Sequence, residues 1–192
     1  MHVCAKNINE RIDRYGGLIV GLEKDHNFES HVNEVELTES EKESMAQALN
    51  GNIYELTARR RNYIILRLDS FLSDGAASYD SKILTIEHVL PQTVDSESEW
   101  AKLWPDDEQR QAWVHRIANL VPLNQRRNSQ ARNFDFEKKK KAYFSGNKQV
   151  SSYILTTKIL TSSTWTPDLL KKRQEELMNV MKKNWELNKV TS

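Results

Sequence analysis

The stretch Ile83–Gln92 reads ILTIEHVLPQ, and it decides the fold. Its first four residues, Ile83–Ile86, are apolar and rich in β-branched side chains, which is typical of a short strand. A second short apolar run, Ile117–Leu123, is also strand-like, and the polar segment 124–132 after it is compatible with a helix. The order strand, Glu-His pair, insertion, strand and helix predicts a small two-stranded element within an α+β fold.

Helical signals surround this element. Thr38 followed by Glu41 resembles a capping box and predicts a helix that Gly51 interrupts. A second predicted helix runs on to Phe71 and carries Arg59–Arg61, which either face DNA or, as we expect, form an exposed basic face. Shorter helices are predicted around Glu97–Leu103, from Pro105 as a first helical residue to about Arg116, and from a cap at Asn133 or Asp135 to Tyr143.

The C-terminal part carries the clearest helix start. Thr166 followed by Pro167 is a strong N-terminal signal, and an apolar stripe continues from there to Trp185. We therefore expect a mostly helical α+β fold in which helices at 38–72 and 167–187 pack around the two-stranded element.

Composition excludes several classes of protein. No apolar run approaches the roughly 20 residues that a membrane helix needs, and the first residues lack the apolar core of a signal peptide. The single cysteine, Cys4, excludes an internal disulfide and a zinc site built from cysteines. A reducing cytoplasm is the natural expectation.

Charge is unevenly distributed, although the net charge is only +1. Between Arg126 and Lys148, eight basic residues face only two acids, Asp135 and Glu137, which gives a local charge of +6. The segment 95–110 has the opposite balance. A basic block beside an acidic one is compatible with a phosphate-binding face. On charge alone, a solvated, salt-bridged surface explains the same distribution.

Four side chains together suit phosphodiester hydrolysis, in which water must be activated and developing charge neutralised. His88 is the candidate general base, since an unperturbed histidine with a pKa of about 6.5 accepts a proton near pH 7. Glu87 points to the opposite face of an extended chain, and with the amide oxygen of Asn128 it would form an oxygen-only Mg²⁺ site. Asn119 would hydrogen-bond the loop backbone and hold the base in position.

Each of these residues has an ordinary structural explanation when it is taken singly. A lone buried histidine is more often a satisfied core residue, and a glutamate beside it is more often at the surface. Asn119 and Asn128 are common turn or cap residues. The combination is far more specific than its members.

The combination resembles the HNH, or His-Me finger, nucleases. The sequence EHVLPQ at Glu87–Gln92 resembles their first motif, and HRIANLVPLNQRRN at residues 115–128 resembles the second half. The spacing of the acid-His pair and the two asparagines is similar to that in the HNH domains of CRISPR effector nucleases. This resemblance implies a ββα-metal core, Glu87 and Asn128 as ligands of Mg²⁺ or Mn²⁺, His88 as base, and Asn119 as orienting residue.

A closer resemblance is to the C-terminal domain of GmrSD-type, modification-dependent restriction endonucleases. It covers roughly residues 50–187, and one departure is Ala118, where glycine is common. The matching residues beyond the Glu-His motif are Trp100, His115–Leu120, Asn133, Phe136, Lys140, Tyr143, Trp165 and Arg173.

This resemblance implies a DNA endonuclease of anti-phage defence that acts on phage DNA, including modified DNA. It also implies an N-terminal nucleotide-hydrolysing domain or subunit, whose phosphate-binding glycine loop this chain lacks. We expect residues 1–37 to be an N-terminal extension or the tail of a preceding domain, since Gly16, Gly17 and Gly21 break its pattern. Residues 38–187 would form the nuclease domain, with helical N- and C-terminal parts, and residues 188–192 a tail.

Basic residues near the motif are candidates for DNA binding. Arg126 and Arg127 suit bidentate phosphate contacts, but neighbours cannot share one helix face. The further candidates are Arg132, Lys138, Lys141 and His115. His115 has three alternatives, which are a phosphate contact, an extra metal ligand and a structural role.

Three functions remain open from the residues. The first is metal-dependent DNA hydrolysis, which would leave 5′-phosphate and 3′-hydroxyl ends. The second is a non-catalytic DNA- or protein-binding module with a vestigial site. The third is a zinc-stabilised site that uses His88 and His115. One HNH site makes one cut, so a double-strand break needs a second copy, as in an oligomer, or a second event.

Overall fold

A computed structural model of the chain describes residues 8–31, 35–74, 84–124, 133–144 and 153–188. This part is mostly helical with a small two-stranded antiparallel sheet, which confirms the predicted α+β class. The strands are Leu84–His88 (β1) and Leu120–Asn124 (β2), and short 3₁₀ helices occur at Ile53–Glu55 and Ile117–Asn119. The α-helices are Ile8–Asp25 (α1), Phe28–His31 (α2), Glu39–Leu49 (α3), Ala58–Leu72 (α4), Glu99–Leu103 (α5), Asp107–Val114 (α6), Phe136–Phe144 (α7), Ile154–Ile159 (α8) and Pro167–Asn184 (α9).

The sheet joins the two halves of the Glu-His and Asn motifs. β1 pairs with β2 so that Leu84 lies opposite Asn124 and His88 lies opposite Leu120. The pairing continues one step further, because the backbone N–H of Val89 donates to the carbonyl of Asn119 at 2.9 Å. Helices α5 and α6 lie in the insertion between the strands. The register therefore brings the end of β1 to the start of β2.

Buried aromatic side chains form the core beside the sheet. Trp100, Trp104, Trp165 and Phe136 are almost fully buried, and they pack in one cluster with Leu170 and neighbouring apolar residues. The indole N–H of Trp104 donates to the carbonyl of Trp165 at 2.6 Å, which satisfies a polar group that is costly to bury unpaired. This contact ties the insertion between the strands to the loop before α9.

Local signals set several helix boundaries. Thr166 caps α9 by accepting the Leu169 N–H at 3.3 Å, and Pro167 is the first helical residue, as predicted. Pro105 is not the first residue of α6. Instead, the side chain of Asp106 caps that helix by accepting the Gln109 N–H at 3.2 Å. A side-chain acceptor at this position outweighs the preference of proline.

Two further boundaries also differ from the sequence expectation. Helix α6 ends at Val114 rather than near Arg116. Residues Ile117–Asn119 form a 3₁₀ helix instead of the first half of a strand. Asn119 therefore lies just before β2, where its side chain is free to turn back onto the loop that follows β1.

The chain divides into two compact units, one formed by residues 1–48 with 187–192 and the other by residues 49–186. In the first unit, α1 continues through the glycines that were expected to break it. A Cβ atom at Gly21 would lie 2.5 Å from the ring of His31, so this packing requires glycine. The Arg14 guanidinium also binds the Glu41 carboxylate at 2.7 Å.

The predicted capping box occurs at the start of α3. The backbone N–H of Glu41 donates to the Thr38 hydroxyl at 3.3 Å, and that of Thr38 donates to the Glu41 carboxylate at 2.8 Å. None of the helices in the described ranges has the length and apolarity to cross a membrane.

Candidate active site

His88 is the last residue of β1, and contacts on several sides fix its ring. Its Nε2 lies 3.2 Å from Nδ1 of His115, and its Nδ1 lies 3.2 Å from the side-chain nitrogen of Gln92. The ring of Tyr54 packs edge-on, with the two ring centroids 4.1 Å apart. Only 5% of His88 is exposed. The imidazole is therefore held in one orientation with both nitrogens engaged.

The surroundings of His88 favour its neutral form. Burial is the largest cause, followed by electrostatic interactions with His115, Lys139 and Arg61, so the pKa of His88 is lowered to about 3. A neutral imidazole has a lone pair that can accept a proton. This is the protonation state that a general base needs at neutral pH.

His115 reaches His88 from the C-terminal end of α6, where it is the residue that ends the helix. Its carbonyl accepts the backbone N–H of Tyr54 at 3.1 Å. Its ring stacks on the ring of Tyr54, with the centroids 5.5 Å apart and the planes 11° from parallel. Backbone and ring of His115 are thus both held by the same tyrosine.

Arg61 also packs against Tyr54. Its guanidinium carbon lies 4.4 Å from the centre of the Tyr54 ring, and its Nη1 donates to the Tyr54 carbonyl at 2.8 Å. Arg61 thus packs on a tyrosine rather than projecting from the predicted exposed basic face. We call Tyr54, Arg61, His88, Gln92 and His115 the His88 cluster.

Glu87 points away from the His88 cluster. One oxygen of its carboxylate lies 2.7 Å from the ammonium nitrogen of Lys139, which also donates to the His88 carbonyl at 2.5 Å. Lys139 is fully buried and Glu87 is 9% exposed. The lysine of α7 therefore holds both the side chain at position 87 and the backbone at position 88.

Burial is the strongest electrostatic influence on this pair. It raises the pKa of Glu87 and lowers the pKa of Lys139, while the mutual attraction of the two charges opposes both changes. A buried charge depends on its partner, so removing either side chain leaves an uncompensated ion.

Asn119 clamps the loop that follows His88. Its side-chain oxygen accepts the Leu90 N–H at 2.7 Å and the Trp165 indole N–H at 3.1 Å. Its side-chain nitrogen donates to the carbonyls of Leu90 and Val114, both at 2.9 Å. The amide thus engages the loop backbone, the end of α6 and the core at once, which is the type of contact expected of the orienting residue.

Replacing Asn119 with alanine is expected to lower the free energy of unfolding by at least about 2 kcal/mol. The fully buried amide makes four hydrogen bonds, and each buried group left without a partner costs about 1–3 kcal/mol. Urea denaturation of the purified chain measures the change. Asn184→Ala is the control, because this exposed side chain bonds the Val180 carbonyl on its own helix. An Asn119→Ala chain as stable as this control would contradict the clamp.

The backbone of Ala118 is held from α9. Arg173 donates from Nε to the Ala118 carbonyl at 3.0 Å, and the side-chain oxygen of Gln174 accepts the Ala118 N–H at 3.0 Å. Burial lowers the pKa of Arg173 to about 10, so the guanidinium stays charged at neutral pH. These two hydrogen bonds from α9 fix the segment that carries Asn119.

The predicted site residues fall into three groups. The structure brings Glu87, His88, Asn119 and His115 together around the end of β1. On α7, Lys138 and Lys141 are exposed. Four predicted site residues lie outside the described residues. They are the metal ligand Asn128 and the DNA contacts Arg126, Arg127 and Arg132.

Among the side chains in the described ranges, no three His, Cys, Asp or Glu residues gather as a metal site. A structural zinc site usually has four protein ligands, so the pair His88 and His115 gives no support to the zinc alternative. The Glu87 carboxylate supplies a hard oxygen, which fits Mg²⁺ or Mn²⁺. One of its oxygens contacts Lys139, so a metal ion there would share the carboxylate with an ammonium group.

Sequence reasoning missed several residues of the site. Lys139 belongs to the basic block between Arg126 and Lys148, where the sequence assigns it no individual role, although it follows Phe136 by three residues. Since residues three apart share a helix face, the buried Phe136 was a signal that Lys139 faces inward. Tyr54 and Gln92 carry no such local signal, because their roles depend on tertiary contacts.

Comparison with protein families adds an independent finding. Residues 39–180 match the model described as GmrSD restriction endonucleases, C-terminal domain, which confirms the family predicted from the sequence. A comparison with curated proteins found no match. Because the family model spans most of the chain, including the Glu-His motif and the Asn119 clamp, the chain belongs to the GmrSD restriction endonuclease C-terminal domain family.

Proposed function

We propose that this chain is the nuclease part of a restriction endonuclease and hydrolyses phosphodiester bonds in DNA as a metal-dependent HNH endonuclease. The observation that carries the proposal is the buried, neutral His88 ring, which is held in one orientation at the end of β1 directly after Glu87 in the chain. Water activation at a phosphodiester needs a fixed, unprotonated base and a hard oxygen ligand for a metal ion, and these two neighbouring residues could supply them. The two paired strands would form the ββ part of a ββα-metal core.

The proposed metal ligands are Glu87 and Asn128. Mg²⁺ or Mn²⁺ bound there would neutralise charge on the phosphate and on the leaving oxygen. Lys139 keeps the Glu87 carboxylate at the end of β1, where it adjoins the base.

The other residues act around this centre. His88 accepts a proton from the attacking water, and Asn119 keeps the loop after His88 in place. The proposed contacts to DNA phosphates are those of Arg126, Arg127, Arg132, Lys138 and Lys141, whereas His115, the sixth candidate from the sequence, contacts the His88 ring. Cleavage at the 3′ oxygen would leave 5′-phosphate and 3′-hydroxyl ends.

The biological setting follows from the family. We propose phage DNA, including modified DNA, as the substrate, with action in the cytoplasm. We also propose cooperation with an N-terminal nucleotide-hydrolysing domain or subunit. Cutting both strands would require a second copy of the site or a second event.

Incubation of the full chain with supercoiled plasmid tests the proposal. We expect conversion to nicked circles with Mg²⁺ or Mn²⁺, and loss of conversion after chelation with EDTA that added Mn²⁺ reverses. Asn184→Ala, whose exposed side chain bonds the Val180 carbonyl on its own helix, should nick like the wild type and is the control. Binding of the plasmid without cleavage by any divalent ion would instead favour the DNA-binding module.

The role of α7 in DNA binding is tested separately. Changing both Lys138 and Lys141 to alanine is expected to weaken the salt dependence of DNA binding. The slope of the logarithm of the binding constant against the logarithm of salt concentration should become smaller by about 2, because each phosphate contact contributes about 0.9. Binding measured between about 50 and 200 mM salt gives this slope. The control is Lys182→Ala with Lys183→Ala in the last turn of α9. Equal slopes for both variants would reject the α7 contacts.

A further inference from the structure

We propose that His115 is a positioning residue that selects the nitrogen with which His88 accepts a proton. This inference rests on the proposed function for its consequence, but its structural part stands on the hydrogen bonds of the His88 cluster. In this cluster, Nδ1 of His115 accepts the Nε2–H of His88, which leaves Nδ1 of His88 as the basic nitrogen.

The first step of the argument is the partner of Nδ1. A glutamine side-chain nitrogen only donates hydrogen bonds, so the Gln92 amide donates to Nδ1 of His88 across 3.2 Å. A ring nitrogen that accepts carries a lone pair and no hydrogen. Neutral His88 therefore carries its hydrogen on Nε2.

The second step is the partner of Nε2. This atom lies 3.2 Å from Nδ1 of His115. Because Nε2 of His88 donates, Nδ1 of His115 must accept, and the hydrogen of His115 is then on its own Nε2. Each ring thus has one defined tautomer, and each tautomer requires the other.

The third step is the rigidity of His115. An acceptor selects a tautomer only if it cannot turn away, and His115 is held twice. Its carbonyl binds the Tyr54 N–H at 3.1 Å, and its ring stacks on the Tyr54 ring, which Arg61 covers with its guanidinium. The half-buried His115 ring therefore presents Nδ1 in a fixed direction.

This geometry has a consequence for the reaction. The nitrogen that a general base uses must be free of hydrogen and must reach the water. The side chain of Gln92 occupies Nδ1 of His88 in the resting site, and a water molecule that donates to Nδ1 would replace it. His115 acts on the opposite side of the ring, so it orients the base without touching the reacting atoms.

Nitrogen NMR of the full chain without metal tests the structural part. In two-bond ¹H–¹⁵N spectra at neutral pH, we expect His88 with its hydrogen on Nε2. His115→Phe keeps an aromatic ring on Tyr54 but removes the acceptor, and we expect the ratio of the Nε2–H to the Nδ1–H form of His88 to fall about tenfold, since a buried hydrogen bond is worth about that factor. His115→Asn, whose side-chain oxygen accepts, should restore the ratio.

Two results would overturn the inference. One is a wild-type His88 that carries its hydrogen on Nδ1, and the other is an unchanged ratio in folded His115→Phe. If that variant fails to fold, His115→Asn compared with His115→Leu decides, because leucine lacks any acceptor.

Nicking kinetics test the catalytic consequence. A positioning role predicts that His115→Phe lowers kcat about tenfold at unchanged KM, with recovery in His115→Asn. A raised KM at unchanged kcat would instead assign His115 to DNA binding and overturn the positioning role. Failure of the chain to cut DNA at all would reject the proposed function while the tautomer measured by NMR still decides the structural part.

Discussion

Replacing His88 with alanine is expected to lower the rate of plasmid nicking by about 10²- to 10⁴-fold. This is the range by which a positioned general base accelerates a reaction. In the proposed mechanism His88 is that base, and its contacts with His115, Gln92 and Tyr54 fix its ring at the end of β1. Initial rates of supercoil loss with Mn²⁺ measure the effect.

A matched histidine variant separates this effect from general damage. His26→Ala changes an exposed histidine that follows α1, and we expect its nicking rate to equal that of the wild type. Circular dichroism should show that both variants are folded. Full activity in folded His88→Ala would reject the assigned base.

The pH dependence of the wild-type rate follows from the same residue. Because the pKa of His88 is lowered to about 3, the base stays unprotonated as the pH falls from 8 to 5. The pH dependence of kcat/KM reports the ionisation of the free enzyme. We therefore expect kcat/KM not to fall around the ordinary histidine pKa of about 6.5. A decline with that midpoint would contradict the buried environment of the ring.

Replacing Lys139 with methionine is expected to lower the free energy of unfolding by about 3–5 kcal/mol. Removal of one partner from a buried ion pair leaves the other charge without compensation. Two contacts are lost here, because the ammonium group binds both the Glu87 carboxylate and the His88 carbonyl. Urea denaturation followed by tryptophan fluorescence measures the change.

Two variants show whether the buried charge is the cause. Lys138→Met changes the neighbouring exposed lysine of α7, and it should alter stability by no more than about 0.5 kcal/mol. Glu87→Gln combined with Lys139→Met removes both charges, so it should recover part of the loss. Equal stability of Lys139→Met and Lys138→Met would show that the pair contributes nothing.

The parts of the fold that the sequence predicted are those with local causes. A β-branched run became β1, Thr166 with Pro167 began α9, and Thr38 with Glu41 formed a capping box. Such signals act within a few residues, so a pattern in the chain is sufficient to predict them. The Glu-His motif was identified for the same reason.

The parts that could not be predicted depend on contacts between distant residues. The spacing from Phe136 indicates that Lys139 faces inward, but its ion pair with Glu87 depends on the position of α7 against β1, which no local pattern contains. Helix α1 persists across its glycines, although glycine opposes helix formation, because the His31 ring packs where a side chain at Gly21 would be. Tyr54 holds His115 only because the fold brings the two segments together.

The clamp at Asn119 also determines when a growing chain first has a complete site. Its oxygen binds the indole of Trp165, and Lys139 supports the residue before the base. Both partners are translated well after His88, and chains emerge from the ribosome N-terminal end first. A partly synthesised chain therefore lacks the supports of the proposed base, so the proposed nuclease site is complete only after translation has passed Trp165.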